Sequence, residues 1–297
     1  MLKAYKIKYL SPTSQIRSFT IFGSLCWSYR LLYGGDSTNT FLNEFLENPK
    51  FLLSSPFPYV DNQFLFPKPI LPIKDANQDF NLKIQRKELK KVKYITLDVL
   101  RKVLEGKIKY EEDFSELINL NLEQKRHTQV RNNINRINHK SENLFFIEAD
   151  LKLYDEYFLV YFFDGEFEKE FYKLIKLIEQ IGFGGKKSIG WGKVKIEEID
   201  PGPLKDMVNL NAKKFITLSP VIPSENLNPE NSFYDIETFK SYTENTFEKE
   251  IIKKKVLYVK EGSLLERKDT AKFVGTLKNV GKNIIQYGLE FPLGVGQ

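Results

Sequence analysis

A short segment of this 297-residue chain combines many glycines with two lysines and a serine. It reads GFGGKKSIGWGKVKI and spans residues 182–196. Its glycines and polar residues of interest are Gly182, Gly184, Gly185, Gly190, Gly192, Lys186, Lys187 and Ser188. Glycine loses more conformational freedom on folding than any other residue, so this concentration indicates a backbone that another group approaches closely. Backbone N–H groups and lysines together suit a phosphate-bearing ligand, although a loop that only packs a helix against a strand would read the same way.

Two common nucleotide-binding motifs do not fit this segment. A P-loop needs GxxxxGK[ST] between a strand and a helix, but Gln180 stands where the first glycine should precede Gly185. The segment also follows a predicted helix, so it lies at the negative end of the helix dipole rather than at the positive end. The dinucleotide fingerprint fails for the same topological reason. The sequence therefore does not predict an ATPase or a dehydrogenase.

The candidates for acid–base chemistry are few. The chain has two histidines, His127 and His139, and one cysteine, Cys26, in an apolar setting. His127 lies in the basic sequence KRHTQVR, where it could act as the general base of an RNA-cleaving enzyme or simply contact RNA. We favour the second interpretation. No carboxylate cluster has the spacing of a metal site, so we expect neither a metal nor another cofactor.

The charge distribution favours a polyanionic ligand. The formal net charge is +6 and the isoelectric point is about 9.0. Residues 124–140 contain five Lys or Arg and no acidic residue, and residues 83–93 form a second basic run with a single Glu. Together with the glycine-rich segment, these runs indicate nucleic acid. Tyr33, Phe57 and Trp191 are the aromatic residues predicted to stack on bases.

The first two hundred residues alternate between strand and helix patterns. The predicted strands are 2–10, 143–154, 156–165 and 191–199, and the predicted helices are 21–32, 38–48, 96–105, 111–120 and 167–181. Gly34-Gly35 is expected to end the first helix. Residues 54–73 contain five prolines and are predicted to be irregular. Strand, helix, a long insertion, strand, strand, helix and strand match the βαββαβ order of a ferredoxin-like fold.

The remaining residues predict a smaller unit. Residues 200–213 form a linker, strands are expected at 214–222, 253–266 and the chain end, and a helix near 234–249. The predicted fold class is α+β, with one domain at 1–200, interrupted by an insertion at about 50–125, and a reduced ferredoxin-like domain at 214–297. No apolar stretch approaches a membrane span, and the N-terminus lacks the apolar core of a signal peptide. We therefore expect a cytoplasmic protein.

Several ordered motifs resemble one protein family. The glycine-rich segment is similar to the G-rich loop of the RAMP proteins of CRISPR systems. The other motifs resemble one member, the Cas-five-like subunit of type III-A (Csm) effector complexes. These motifs are SFTIFGSLCWSYRLLYG (18–34), FLLSSPFPYVDNQFLFPKP (51–69), RHTQVRNNINRINHKSENLFFIE (126–148) and GLEFPLGV (288–295). The resemblance covers most of the chain.

The resemblance implies two ferredoxin-like (RRM-related) folds, a β-hairpin thumb and no nuclease activity of its own. It implies binding of the 5′ handle of the crRNA, with a large polymerase-like signalling subunit and a backbone RAMP subunit as neighbours. The residues that it assigns to RNA contact are the eight polar residues and glycines of the loop given above, followed by Arg126, His127, Arg131, Asn135 and Arg136. At 138–140 the sequence has Asn-His-Lys where the family would have a glycine-containing turn.

The sequence thus predicts a non-catalytic subunit that caps the 5′ handle of the crRNA and bridges its two neighbours in antiviral defence. Two alternatives stay open. One is a metal-independent endoribonuclease that processes crRNA with His127. The other is a purely structural subunit whose glycine-rich loop packs on protein.

Overall fold

The computed structural model describes residues 1–72, 91–108, 122, 124–242, 252–281 and 284–295. The helices are α1 (Ser18–Glu47), α2 (Leu97–Leu104) and α3 (Glu166–Ile181). The strands in the first two thirds of the chain are β1 (Leu2–Tyr9), β2 (Phe51–Leu53), β3 (Phe57–Val60), β4 (Gln63–Pro67), β5 (Tyr94–Thr96), β6 (Gln124–Ile134), β7 (Ser141–Lys152), β8 (Asp155–Phe162) and β9 (Val194–Ile199). Those in the last third are β10 (Lys214–Thr217), β11 (Ile236–Phe239), β12 (Val256–Val259), β13 (Leu264–Glu266), β14 (Lys278–Gly281), β15 (Ile284–Gln286) and β16 (Pro292–Gly294).

A ferredoxin-like unit forms the centre of the molecule. Its sheet runs β5-β4-β3-β8-β1-β9, and β2 also pairs with β8. The pairs are antiparallel, with Leu2 opposite Tyr161 and Ile7 opposite both Glu156 and Ile196. Strands β9, β1, β8 and β2, with helices α1 and α3, give the order expected from a βαββαβ chain. The predicted α+β class is confirmed, since the described residues form antiparallel sheets with few helices.

Aromatic side chains build the core between the helices and this sheet. The ring centroid of Phe171, on α3, lies 5.5 Å from that of Tyr5 on β1 and 5.2 Å from that of Phe162 on β8. The helical period predicts one apolar face made of Phe167, Phe171, Leu174, Ile175, Ile178 and Ile181. The first five are buried as expected, and Ile181, the last residue of the helix, is half-buried. These core contacts fix the position of helix α3, and with it the start of the glycine-rich loop that follows the helix.

Two sequence predictions in this unit are wrong. The proline-rich region is not irregular, because β3 and β4 both lie within 54–73. Pro58 precedes the residues that pair with β4, and Pro67 is the last residue of its strand, where a proline removes few ladder hydrogen bonds. Residues 143–154 are not the second strand of the ferredoxin-like unit, which is β2. They form one arm of the β6–β7 hairpin, since an alternating pattern predicts a strand without naming its partner.

The predicted helix boundary at Gly34 is confirmed. Gly34 has φ 82° and ψ 176°, so the helical residues before and after it meet at a kink. Helix α2 confirms the helix predicted at 96–105. The predicted helix at 111–120 and most of the basic run at 83–93 lie outside the described residues.

Apart from short 3-10 turns, the regular elements described in the last third of the chain are strands. Strands β13, β10 and β16 form one sheet, and β11–β12 and β14–β15 form two-stranded antiparallel sheets. The helix predicted near 234–249 is wrong at Ile236–Phe239, which pairs with Val256–Val259, and residues 243–249 lie outside the described range. The last third of the chain shares a core with the first two thirds. The Tyr287 hydroxyl accepts a hydrogen bond from the Leu53 N–H at 2.8 Å, and the Tyr287 ring centroid lies 5.1 Å from that of Phe22. The proposed domain division at 200–213 stays a prediction.

Candidate nucleic-acid interface

The two ends of the glycine-rich loop, which form its neck, are held together by hydrogen bonds between backbone groups. Helix α3 ends where the Gly182 N–H donates to the Ile178 carbonyl at 2.7 Å, and Gly182 has φ 83° and ψ 166°, which is nearly restricted to glycine. The Phe183 N–H then donates to the Gly192 carbonyl at 2.8 Å. A Cβ on Gly192 would lie 2.0 Å from the Phe183 carbonyl oxygen, and one on Gly182 would lie 2.9 Å from the Gly192 oxygen. These two glycines therefore serve the fold of the loop.

At the tip of the loop, the residues differ in backbone conformation and in exposure. Gly184, Lys186 and Gly190 have positive φ, at 70°, 64° and 88°. Gly185 has an ordinary φ and is exposed, with nothing within 4 Å of where its Cβ would be. Lys186 and Ser188 are exposed as well, and Lys187 begins a short 3-10 turn. The tip thus presents open backbone at Gly185 and the side chains of Lys186 and Ser188 to the outside, while Lys187 is half-buried.

One extended segment holds both the loop and the hairpin. The Pro12 carbonyl accepts a hydrogen bond from the Gly192 N–H at 3.0 Å, and the Ser11 hydroxyl accepts one from the Lys193 N–H at 2.9 Å. On its other side, Thr13 exchanges backbone hydrogen bonds with Asp150 of β7 at 3.1 and 3.3 Å. Sequence reasoning missed this connection, because it is made by backbone groups in a stretch without periodicity.

The β6–β7 hairpin contains the basic block, residues 124–140, which the resemblance implied would precede the thumb. Its strands pair from Gln124 opposite Lys152 to Ile134 opposite Ser141, and His139, with φ 53°, supplies the left-handed residue of the turn in place of a glycine. Residues directly opposite each other share a face of the hairpin. The loop-side face consists of Lys125, His127, Gln129 and Arg131 with Leu151, Ala149, Ile147 and Phe145. The outer face consists of Arg126, Thr128, Val130 and Asn132 with Asp150, Glu148, Phe146 and Leu144.

The two faces differ in chemistry. The loop-side face, so defined, carries three basic or imidazole side chains and no carboxylate. The outer face carries Glu148 and Asp150, and three of its apolar residues are strongly exposed: Val130 at 56%, Leu144 at 66% and Phe146 at 63%. A polyanion would therefore meet repulsion only on the outer face.

Trp191 joins the glycine-rich loop to the loop-side face. It is 7% exposed and packs in one cluster with Ile147 and Ala149 of β7. The His127 ring meets it edge-on with centroids 6.3 Å apart, and the Lys186 Nζ lies 5.0 Å from its ring centroid. Loop and hairpin thus form one surface, on which the predicted residues Lys186 and His127 flank the same indole ring.

The other predicted residues of the basic block are more dispersed. Arg131 lies on the loop-side face, four residues beyond His127, where Gln129 Oε1 accepts a hydrogen bond from its Nη2 at 3.1 Å. Arg126 lies on the outer face and forms an ion pair with Glu148. Asn135 donates to Glu142 Oε1 at 2.8 Å within the turn, and Arg136 is exposed beside it. At about 3.3 Å per residue, the end of β6 at Ile134 is already about 23 Å from His127, so the structure does not bring these two residues, which follow it, to the loop.

The predicted stacking residues are placed unequally. Phe57 is 4% exposed and Trp191 is 7% exposed, so both are core residues, and only Tyr33 of the three is exposed, at 42%. Phe145, at 39% exposure on the loop-side face, is the aromatic residue near the interface that sequence reasoning missed. Its place opposite Arg131 is visible only once the hairpin register is known.

A buried polar cluster anchors the base of the hairpin. The Lys152 Nζ, at the end of β7, donates to Glu156 Oε1 at 2.6 Å, and Tyr9 donates its hydroxyl to the other oxygen of Glu156. The Lys152 ammonium also lies 4.8 Å from the centroid of the Tyr9 ring. Burial, reinforced by the Glu156 carboxylate, raises the pKa of Tyr9 well above its ordinary value, so its hydroxyl stays a donor. The direction of the hairpin is thereby tied to β1 and β8.

The described residues were searched for a metal site and for a membrane-spanning helix. Within them, no group of three or more His, Cys, Asp or Glu side chains is placed to hold a metal ion. No helix in the same ranges is both long enough and apolar enough to cross a membrane.

Comparison with known proteins supports the fold and a family. The profile of the RAMP superfamily matches residues 12–195, more than half of the chain. A chain in the crystal structure of the Csm3-Csm4 subcomplex of the type III-A CRISPR-Cas interference complex is 20% identical, with a TM-score of 0.68 over 99% of this chain and 100% of that one. A chain of the Csm1-Csm4 cassette in complex with one ATP is 18% identical, with a TM-score of 0.62 over 99% and 98%. No curated protein sequence matches.

Proposed function

The chain belongs to the RAMP superfamily, and from that premise we propose that it is a non-catalytic RNA-binding subunit of a type III-A CRISPR interference complex. In this proposal it caps the 5′ handle of the crRNA. It also bridges the large signalling subunit to the backbone RAMP subunits. The similar structures come from Csm3-Csm4 and Csm1-Csm4 assemblies, which supports these two neighbours.

The observation that carries the proposal is the joining of loop and hairpin at Trp191. Lys186 and His127 come from segments almost sixty residues apart, yet both contact the same ring. The resulting surface combines an open glycine backbone, cationic side chains and a carboxylate-free strand face. Such a surface favours the phosphates of a single-stranded RNA, with backbone N–H groups and lysines as donors.

Phe145 gives this surface a place for a base. Its ring is partly exposed on the loop-side face and lies across the strand pair from Arg131. Single-stranded RNA is commonly bound by aromatic rings and arginine planes on which unstacked bases lie. In this arrangement the sugar–phosphate backbone of the handle contacts the tip of the glycine-rich loop. The bases of the nucleotides that follow lie along the loop-side face of the hairpin.

The outer face of the hairpin suits the bridging part of the proposal. Val130, Leu144 and Phe146 expose a contiguous apolar area on two paired strands. Exposed apolar patches on soluble proteins mark surfaces that bind other proteins. We therefore assign the RNA to the loop-side face and the backbone RAMP subunit to the outer face.

One experiment tests both assignments. The chain is co-expressed with its operon, the complex is purified through a tag on another subunit, and the bound RNA is sequenced and probed for protection at its 5′ end. Lys186→Glu with Arg131→Glu should abolish protection of the handle. Arg126→Glu, a reversal on the outer face, is the matched control and should leave protection intact.

The second arm addresses the outer face. Phe146→Asp should lower the amount of backbone subunit that copurifies. Equal loss of handle protection in the loop-side and outer-face variants would contradict the assignment of faces, and a complex that holds no RNA would contradict the proposed function.

A further inference from the structure

Strand β11, in the last third of the chain, has an edge that no other described strand pairs with. It forms a two-stranded sheet with β12, in which Ile236 lies opposite Val259 and Thr238 opposite Leu257. The Val259 backbone faces the far side of β12, where it exchanges hydrogen bonds with Val221 at 2.8 and 2.9 Å. Ile236 and Thr238 therefore belong to the non-hydrogen-bonded pairs of this ladder, and their N–H and C=O groups point away from β12.

These outward backbone groups differ from those at the edge of the main sheet. Among the described residues, no group accepts from the N–H of Ile236 or Thr238 or donates to their carbonyls. On the edge strand β9, by contrast, the Ile196 N–H donates to Glu179 Oε1 at 2.6 Å, so a side chain of α3 protects that edge. An unprotected strand edge is a template for pairing with a further strand.

The inner face of the β11–β12 sheet holds this edge in place. The ring centroid of Phe19, on α1, lies 4.6 Å from that of Phe239 and 5.3 Å from that of Tyr258. Glu237 forms an ion pair with Arg17, the residue that precedes α1. A strand that is already fixed in its extended conformation loses little entropy when a partner binds. The edge of β11 is therefore preorganised for an added strand.

The outer face of the same sheet selects the side chains of a partner. Ile236 is 58% exposed and Leu257 is 44% exposed, and Thr238 is exposed beside them. The alternation of the strands continues onto Lys240 and Lys255, which are both exposed. Neither lysine forms an ion pair within the described part of the chain. This face is complementary to a strand that presents apolar and acidic side chains.

We propose that β11 binds an extended segment of another protein as an added antiparallel strand. Backbone hydrogen bonds with Ile236 and Thr238 hold the segment, which is the mode of peptide recognition by strand addition. An apolar side chain of the segment lies opposite Ile236, and an acidic side chain lies opposite Lys240. The carbonyl groups of the edge and the exposed Ile236 side chain disfavour a nucleic acid at the same place.

The test uses the isolated full-length chain and a fluorescein-labelled peptide, Ser-Glu-Thr-Thr-Ser-Val-Ser, that follows this pattern. Fluorescence anisotropy should show saturable binding. Thr238→Pro removes an outward N–H but no hydrogen bond of the ladder, and it should weaken binding at least about tenfold. Thr238→Val keeps the N–H and is the matched control, which should bind as the wild type does. Thermal unfolding of each variant should show that it is folded.

Changes in the peptide test the two parts of the recognition separately. N-methylation at the second threonine of the peptide blocks an amide that faces β11 and should abolish binding. N-methylation at the first threonine blocks an amide that faces away and should leave binding unchanged. In the double variant Lys240→Glu and Lys255→Glu, a peptide with lysine in place of glutamate should bind more tightly than the original peptide.

The contrary outcomes are distinct. Binding that does not saturate, that is equal in Thr238→Pro, or that responds equally to the two methylations would overturn the added strand. A lysine peptide that binds the wild type as tightly as the glutamate peptide does would overturn the choice of an acidic partner.

Two further outcomes would replace the occupant. Displacement of the peptide by a single-stranded RNA of unrelated sequence would overturn the protein partner in favour of a nucleic acid. A dimer in sedimentation velocity that Thr238→Pro dissociates would overturn it in favour of a second copy of this chain. Because these measurements need neither the crRNA nor other subunits, they are independent of the proposed function.

Discussion

The Lys186 ammonium lies 5.0 Å from the centroid of the Trp191 indole ring. Because Trp191 is also buried against Ile147 and Ala149, the cation at the loop tip keeps a defined position relative to the hairpin. Cation–π contacts of this kind contribute about 0.5–1 kcal/mol at exposed sites. The tryptophan thus aligns the charges of two separate segments rather than offering its own face to a base.

The salt dependence of RNA binding should report the lysines of the loop. Each phosphate contact on a single strand contributes a slope of about −0.7 in log K against log salt. Lys186→Ala and Lys187→Ala should therefore each flatten the slope by about that amount, measured by fluorescence anisotropy with handle RNA. Lys205→Ala is the control, because Lys205 is an exposed lysine paired with Asp200 outside the interface. Unchanged slopes in both loop variants would place the RNA elsewhere.

We expect no ribonuclease activity with or without divalent metal. His127 is exposed on the loop-side face, opposite Ala149 in the ladder and edge-on to Trp191. Neither neighbour can orient an imidazole or share its proton, as a general base requires. Repeat RNA incubated with the purified protein, with and without EDTA, should stay intact on a denaturing gel. Discrete cleavage that disappears in His127→Ala would instead support the endoribonuclease alternative.

Replacing Glu156 should loosen the hairpin. Its side chain is 4% exposed and holds Lys152, itself 10% exposed, so Glu156→Gln leaves a buried ammonium without its counterion. Breaking one partner of a buried pair costs about 3–5 kcal/mol. The variant should unfold at lower urea concentration and be cut faster by trypsin at the basic residues of β6.

The matched control for Glu156 is Glu197→Gln on β9. Glu197 pairs with Lys6 at 3.4 Å and with Lys195 at 2.7 Å on the surface, where ion pairs contribute little to stability. Cleavage of the hairpin at the same rate in both variants would mean that the buried cluster does not set its orientation.

The sequence predicted what periodicity can encode. The apolar face of α3 was correct because Phe171 and Ile178 recur at helical spacing and are fully buried. The stop at Gly34 was also predicted, since positive φ is a property of single residues. Both features depend on local chemistry alone.

Strand pairing and contacts between distant segments could not be predicted from the sequence pattern. Residues 143–154 form a strand as predicted, but their partner is β6, which depends on register and not on pattern. Trp191 was predicted to be a stacking surface, whereas it is buried by two residues of β7 more than forty positions earlier in the chain. The Pro12–Thr13 link between loop and hairpin uses backbone groups that every residue carries.

Alanine substitutions should separate the glycines that serve RNA binding from those that serve the fold of the loop. Gly185→Ala adds a methyl group at an exposed position with ordinary φ and open space, so the free energy of unfolding should change by less than about 0.5 kcal/mol. If RNA passes close to this backbone, the same methyl group should weaken handle binding by at least about tenfold, since it prevents the approach of the phosphate. Thermal unfolding and RNA titration of the same preparation measure the two effects.

Gly192→Ala should give the opposite result. Its Cβ would lie 2.0 Å from the Phe183 carbonyl oxygen at φ 78°, so the neck of the loop cannot close without shifting. Left-handed strain and overpacking together should cost about 2–4 kcal/mol. Gly190→Ala, with φ 88° and open space, isolates the strain from the clash and should lie between them. A Gly185→Ala variant that binds handle RNA as well as the wild type would show that the open backbone at the tip does not serve RNA, and would leave packing as the role of the whole glycine cluster.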